Sequence, residues 1–157
     1  MRLLGNIEAK TDSKGRVFLP SAFRKAMQME AGGLVLRKDV FQKCLVLYPE
    51  SSWDTLLDSL VSRINRWDPR QMQIYRQFLS DVEIVYPDSN GRILIPRRLL
   101  EAANIGQGIR FIGMGDYIEV WSSELTSQPF ISQDDFANAL EQLMSGNPMV
   151  QPIEPVS

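Results

Sequence analysis

The 157-residue sequence contains no histidine and a single cysteine. The first absence removes Ser-His and Cys-His nucleophile pairs, His-ligated metal sites and imidazole acid–base chemistry together. An enzyme would have to rest on carboxylates, Lys, Tyr or Ser alone, and no motif of that kind stands out. The reading is therefore of a protein without catalysis, metal or cofactor. The lone cysteine excludes an internal disulfide, and Cys44, in the apolar run Cys44-Leu45-Val46-Leu47, reads as a small core residue. Long apolar runs are also missing: nothing approaches the ~20 residues of a membrane span. The opening Met1-Arg2-Leu3-Leu4-Gly5-Asn6 lacks the apolar stretch of a signal peptide, so the expected location is the cytoplasm, with no membrane partner.

Positive charge is absent from the C-terminal part, because all 17 Lys and Arg lie at or before Arg110. Residues 1–111 carry a net +5 and residues 112–157 a net −7, which the overall −2 conceals. This segregation suggests a polyanion-facing part and an acidic tail, with ordinary solvated surface as the plainer alternative.

What is present is an internal repeat. Asp12-Ser13-Lys14-Gly15-Arg16-Val17-Phe18-Leu19-Pro20 aligns without a gap to Asp88-Ser89-Asn90-Gly91-Arg92-Ile93-Leu94-Ile95-Pro96, at an offset of 76 residues. Each copy continues through an amphipathic stretch and a glycine turn (Gly32-Gly33; Gly106-Gln107-Gly108) to an apolar strand, Leu45–Tyr48 or Ile118–Trp121. Alternation of Ile7 and Ala9 before the first turn, and of Val82, Ile84 and Tyr86 before the second, predicts strands. Val17/Leu19 and Ile93/Ile95 continue the period of two after the turns, so each turn is expected to close a hairpin. Asp accepts backbone N–H bonds two residues on, and Gly supplies the positive φ. Pro20 and Pro96 suit the first position of a helix, whose Phe23, Ala26 and Met27, or Leu99, Leu100 and Ala103, would face the sheet.

Between the copies two helices are expected. Ser51 or Ser52 would cap the first, with its stripe of Trp53, Leu56, Leu57, Leu60 and Ile64; Asp68-Pro69 would open the second. A short helix is predicted from Ser132 to Met144, and the Pro-rich end after Gly146 is expected to be disordered. Units this small bury little core, which predicts an oligomer.

A hairpin turn needs Asp and Gly for its geometry but has no need of Arg. Arg16 and Arg92 nevertheless follow the Gly in both copies, and Lys14 adds a second charge to the first. A guanidinium on a rigid turn can bond bidentately to phosphate or to guanine, and a two-stranded ribbon fits the major groove. The alternative is that each Arg pairs with its own Asp and only stiffens the turn.

The two Asp-x-x-Gly-Arg turns, each followed by an apolar strand and Pro, together with Tyr48-Pro49 matched by Trp121-Ser122 and the intervening helices, resemble the MraZ family over roughly residues 1–125. The resemblance implies an α+β fold of two tandem AbrB-like swapped-hairpin repeats, each a small β-barrel. Residues 1–50 and 81–125 would form the repeats, 51–80 a helical connector and 126–157 an acidic tail. It implies a ring-shaped homo-oligomer, nucleoid-associated in the cytoplasm, that regulates the division and cell-wall gene cluster by binding promoter repeats in double-stranded DNA. Lys14, Arg16 and Arg92 inherit the DNA contact, with Asn90 a weaker member of that set. Asp12, Gly15, Asp88 and Gly91 inherit the turn role. Three features depart from the pattern. Asn90 stands where a basic residue would help; Arg63, Arg66, Arg70 and Arg76 are open to DNA contact or, preferably, to a subunit interface; and the acidic tail runs past the matched region. A ring-forming protein-interaction module with purely structural arginines is the rival reading.

Overall fold

The computed structural model describes residues 2–27 and 32–146, and Met1–Leu125 and Thr126–Ser157 form separate compact units. In the first unit the order is β1 (Asn6–Lys10), β2 (Arg16–Phe18), α1 (Ser21–Ala26), β3 (Leu34–Lys38), β4 (Leu45–Pro49), α2 (Glu50–Ser62), α3 (Pro69–Ser80), β5 (Glu83–Val85), β6 (Arg92–Leu94), α4 (Arg97–Ala102), β7 (Gly108–Gly113) and β8 (Ile118–Ser122). The mixed α+β class is as expected, but each repeat holds four strands, one more than the alternation revealed. The additional strands, Leu34–Lys38 and Gly108–Gly113, begin at or directly after the glycine turns.

The strands that flank a turn do not pair with each other. β1 leaves its own repeat and pairs antiparallel with β7, Ile7 opposite Phe111; β5 crosses the other way to β3, Leu34 opposite Val85. β2 and β6 pair only with each other, as a separate two-stranded ribbon. The larger sheet runs β1-β7-β8-β4-β3-β5, so β4 and β8 meet at its centre and β1 and β5 form its edges. Among the described residues no closed barrel forms, because β1 and β5 remain the edges of the larger sheet and do not pair with each other. The hairpin expectation thus holds at the turns and fails beyond them: alternation fixes which face a residue occupies and leaves its partner strand open.

The core lies between the sheet, the ribbon, α1 and α4, and draws on both repeats. Val17, Leu19, Ile93 and Ile95 are each at most 1% exposed, and Phe23 of α1 meets Phe111 of β7 edge to face with centroids 6.3 Å apart. Burying side chains of this size contributes about 1.5–3 kcal/mol each. Cys44 is fully buried as anticipated, and burial pushes its thiol up to about 12, far from a reactive thiolate.

Three local expectations need correction. On β5 the residue that enters the core is Val85, while Ile84 and Tyr86 are exposed. Val85 shares a face with Leu34, whereas Ile84 and Tyr86 lie over Gly33, which has no side chain to compete. Pro20 and Pro96 sit one residue earlier than expected, as N-caps with extended ψ of 140° and 141°; their carbonyls accept the first helical N–H groups, from Phe23 and Leu99. Neither Ser51 nor Ser52 caps α2, which starts directly from Pro49 with Glu50 in its first turn. By contrast Asp68 caps α3 as expected, accepting from the Arg70 and Gln71 amides with Pro69 next.

Of the α2 stripe only Trp53 is fully buried, and its ring stacks on Phe78 of α3 at 5.6 Å. The guanidinium of Arg37, itself buried, covers the other partner of that stack at 4.3 Å from the Phe78 centroid and donates to the Phe78 carbonyl, tying α3 to β3. In the second unit α5 (Gln133–Ser145) is capped by Ser132, whose Oγ accepts from Asp135 at 3.2 Å. Its Phe136, Leu140 and Leu143 are exposed. The Pro-rich end beyond Gly146 lies outside the described residues. No helix among the described residues is long and apolar enough to cross a membrane.

Candidate nucleic-acid interface

Each turn is built around one carboxylate. Oδ1 of Asp12 accepts from the Lys14 and Arg16 amides, both at 2.9 Å, and its Oδ2 accepts from Arg16 Nε at 2.7 Å. The Asp12 amide donates to the Arg16 carbonyl, and the Gly15 amide to the Asp12 carbonyl. The second turn repeats this bond for bond: Asp88 accepts from the Asn90 and Arg92 amides and from Arg92 Nε, all at 2.9 Å. Gly15 and Gly91 take φ of +88° and +80°, a region that costs any other residue strain. The four turn-forming residues read from the sequence therefore have these geometric tasks.

The turns also lock the two repeats together. The Gly91 carbonyl accepts from Leu19 and the Gly15 carbonyl from Ile95, both at 2.9 Å, which extends the β2–β6 ribbon at each end. Thr11, buried at the entrance to the first turn, hydrogen-bonds through its amide to the Gln107 carbonyl of the other repeat. The turn geometry is therefore held from both sides of the chain.

Register determines what the ribbon displays. Arg16 stands opposite Leu94 and Arg92 opposite Phe18, with Val17 opposite Ile93 between them. Residues paired directly across strands share a face, as do residues two apart. Arg16, Phe18, Arg92 and Leu94 therefore occupy the outer face, and Val17 and Ile93 the core face. Phe18 and Leu94 are 60% and 54% exposed, and the Arg92 guanidinium carbon lies 5.9 Å from the Phe18 ring centroid. Lys14 and Asn90 are exposed at the two tips. All four residues named for contact thus sit on the ribbon or its ends.

Both arginines do pair with their own Asp, as the structural alternative required. Among the described residues they use only Nε for hydrogen bonding, so the pairing orients each guanidinium while its two terminal nitrogens make no other hydrogen bond there. Exposed pairs of this kind contribute little stability. Sequence reasoning missed two further cations. Arg24 of α1 lies against Gly91 of the second turn, and Arg97 at the start of α4 lines a cleft of about 380 Å³ together with Asp12, Lys14 and Gln107. Arg63 and Arg66 lie between α2 and α3, and Arg70 and Arg76 on α3, all four exposed.

The turn carboxylates are charged well below neutrality. The hydrogen bond from the Arg16 amide, with those from the Arg16 side chain and the Lys14 amide, brings Asp12 down from 3.8 to about 2, and the Arg92 amide lowers Asp88 in the same way. A depressed folded-state value stabilises the turn at pH above the unfolded value of 3.8, and the contribution disappears as pH falls through about 2. In an NMR pH titration the Lys14 and Arg16 amides are expected to hold their shifts from neutrality to about pH 4 and to move with a midpoint near 2. A midpoint at 3.8 or above would show that the carboxylate does not organise the turn.

Compared with known proteins, the chain matches the family model for the MraZ protein twice, over residues 3–77 and 78–143. It is 53% identical over 152 residues to the transcriptional regulator MraZ of Phocaeicola vulgatus, covering 96% of this chain and 99% of that one. Identity to the Bacteroides thetaiotaomicron protein of the same description is 54% over 146 residues, covering 92% and 94%. The Shewanella oneidensis protein of that description is 32% identical over 114 residues, covering 72% and 74%. With both of its halves matched and such identity along nearly its whole length, the chain belongs to the MraZ family.

Proposed function

We propose that this protein is a transcriptional regulator that binds double-stranded DNA through the outer face of the β2–β6 ribbon and the turns at its two ends. The observation that carries the reading is the register, which puts Arg16 and Arg92 on one exposed face with Lys14 and Asn90 at the tips. A two-stranded ribbon fits the width of the major groove, arginine terminal nitrogens suit phosphate or guanine O6 and N7, and Phe18 and Leu94 offer apolar surface to thymine methyl groups. The relatives' description as transcriptional regulators agrees with it.

In this reading residues 1–50 and 81–125 are the two repeats, 51–80 a helical connector and 126–157 an acidic tail. The exchange of β1 and β5 between repeats supports an AbrB-like swapped-hairpin arrangement. Several copies in a homo-oligomeric ring would add modest single contacts into useful affinity for repeated promoter sites, those of the division and cell-wall gene cluster, in the cytoplasm at the nucleoid.

The test is fluorescence-anisotropy titration of DNA from the protein's own upstream promoter region, against random duplex, across a salt series. Arg16→Ala and Arg92→Ala each remove a contact of about 1–3 kcal/mol, roughly 5- to 150-fold in affinity, and the double variant is expected to abolish discrimination. The backbone bonds to Asp12 and Asp88 survive both changes, so size-exclusion behaviour should stay that of the parent. Undiminished binding by the double variant would leave the rival, a ring-forming protein-interaction module in which the arginines only stiffen the turns.

A further inference from the structure

The two tips differ in charge when each is counted along its own sequence. The first holds Asp12, Lys14 and Arg16; the second holds Asp88, Asn90 and Arg92, and the acid there cancels the only cation. A tip with no net positive charge is a poor phosphate ligand. In the folded chain, however, each tip rests against the helix of the opposite repeat. A Cβ placed on Gly15 would meet Leu100 Cδ1 of α4 at 3.6 Å; one placed on Gly91 would meet Arg24 of α1, with Nη1 at 2.9 Å and Cδ and Cζ at 3.1 Å. Leu100 and Arg24 are equivalent positions, separated by the repeat offset of 76.

We infer that Arg24 is the missing cation of the second tip: a phosphate-contacting residue, supplied by the first repeat, that takes the place Lys14 holds in the first tip. Three observations bear on it. Arg24 is exposed, so its charge reaches solvent. Its Nε donates to the Leu19 carbonyl at 2.9 Å, which fixes the guanidinium over the turn and leaves Nη1 and Nη2 without a hydrogen bond among the described residues. Glu50 and Arg24 line a small cleft together with Leu19 and Pro87, but the two form no ion pair among the described residues. With Arg24 counted, the second tip carries the excess of one positive charge that the first has along its own sequence, where the neighbouring Arg97 and Glu101 of α4 cancel each other. Asn90 is then relieved of an electrostatic task and is free to hydrogen-bond.

The inference rests on the ribbon being the DNA-binding face, and the experiment separates the two claims. Affinity for the upstream promoter DNA is measured against salt for the parent, Arg24→Gln, Asn90→Lys, Arg24→Gln/Asn90→Lys and Arg92→Ala, with thermal unfolding as a control on the fold. Arg24→Gln is expected to weaken binding about 3- to 10-fold near physiological salt and to reduce the slope of log K against log salt by about 0.9 for each phosphate released. Adding Asn90→Lys should restore both, since it returns the charge along the other route. If Arg92→Ala weakens binding while Arg24→Gln changes neither affinity nor slope, the inference falls and the DNA-binding face stands. It falls equally if affinity drops with an unchanged slope and no rescue by Asn90→Lys, because Arg24 would then act only by holding the Leu19 carbonyl. If neither Arg92→Ala nor Arg24→Gln has any effect, the DNA-binding face itself fails and takes the inference with it.

Discussion

Divided into residues 1–80 and 81–157, the chain is expected to lose its fold in both pieces, and mixing the pieces should restore it. Among the described residues β1 has β7 as its only partner strand, β2 has β6, and β5 has β3. Separation leaves the first piece with the β3–β4 pair and three helices, and the second with β7–β8 and two, while β1, β2, β5 and β6 lose every partner strand. A lone two-stranded pair is marginal in water, and pieces below about 80 residues have little core to add. Val17 and Ile93, each 1% exposed and opposite one another, would also be uncovered. Circular dichroism and size-exclusion chromatography should therefore report each piece alone as disordered, and a folded 1:1 complex on mixing. A folded monomeric half with cooperative unfolding would contradict this account.

The same exchange explains what the sequence could and could not disclose. The turns were legible because everything they need is local: a carboxylate that reaches amides two and four residues on, and a glycine at positive φ. The duplication was legible as self-similarity. Strand partners were not, because Ile7 with Ala9 and Val17 with Leu19 announce a face and say nothing about which strand lies alongside. The run Val82-Glu83-Ile84-Val85-Tyr86 was ambiguous for a related reason. It has apolar residues on both faces, and only Leu34 across the sheet selects Val85 for the core. Ser51 and Ser52 looked like caps, but Pro49 already ends β4 in an extended conformation from which the helix can start.

At the candidate site, the residues contributed by the turns themselves could be named, and those that arrive across the exchange could not. Phe18 and Leu94 read as ordinary strand positions until the register put them beside Arg92 and Arg16 on the outer face. Arg24 read as the solvent side of an amphipathic helix, which it also is. Its position against a turn 67 residues further along the chain follows from α1 belonging to one repeat and packing on the turn of the other. The one available hint was the asymmetry between Lys14 and Asn90, a deficit that local sequence left unbalanced.

That asymmetry also makes the two turn glycines unequal. Gly15→Ala is expected to destabilise the protein by about 2–4 kcal/mol, and Gly91→Ala by about 1–2 kcal/mol. Both substitutions carry the strain of positive φ, at +88° and +80°. The difference lies in what the new methyl group meets. At Gly15 it would stand 2.6 Å from the Ile95 carbonyl oxygen. That is backbone, held in place because the Ile95 amide donates to the Gly15 carbonyl, so relief requires the ribbon itself to shift. At Gly91 it would meet the far end of Arg24, which can rotate away at the loss of its bond to the Leu19 carbonyl. Denaturant unfolding of the two variants should order them in this way, and equal losses would mean that the strand backbone is softer than its hydrogen bonds imply. The milder variant then has a second expected effect. By displacing Arg24 from the second tip, Gly91→Ala should lower the salt dependence of DNA binding as Arg24→Gln does, in a protein that remains folded.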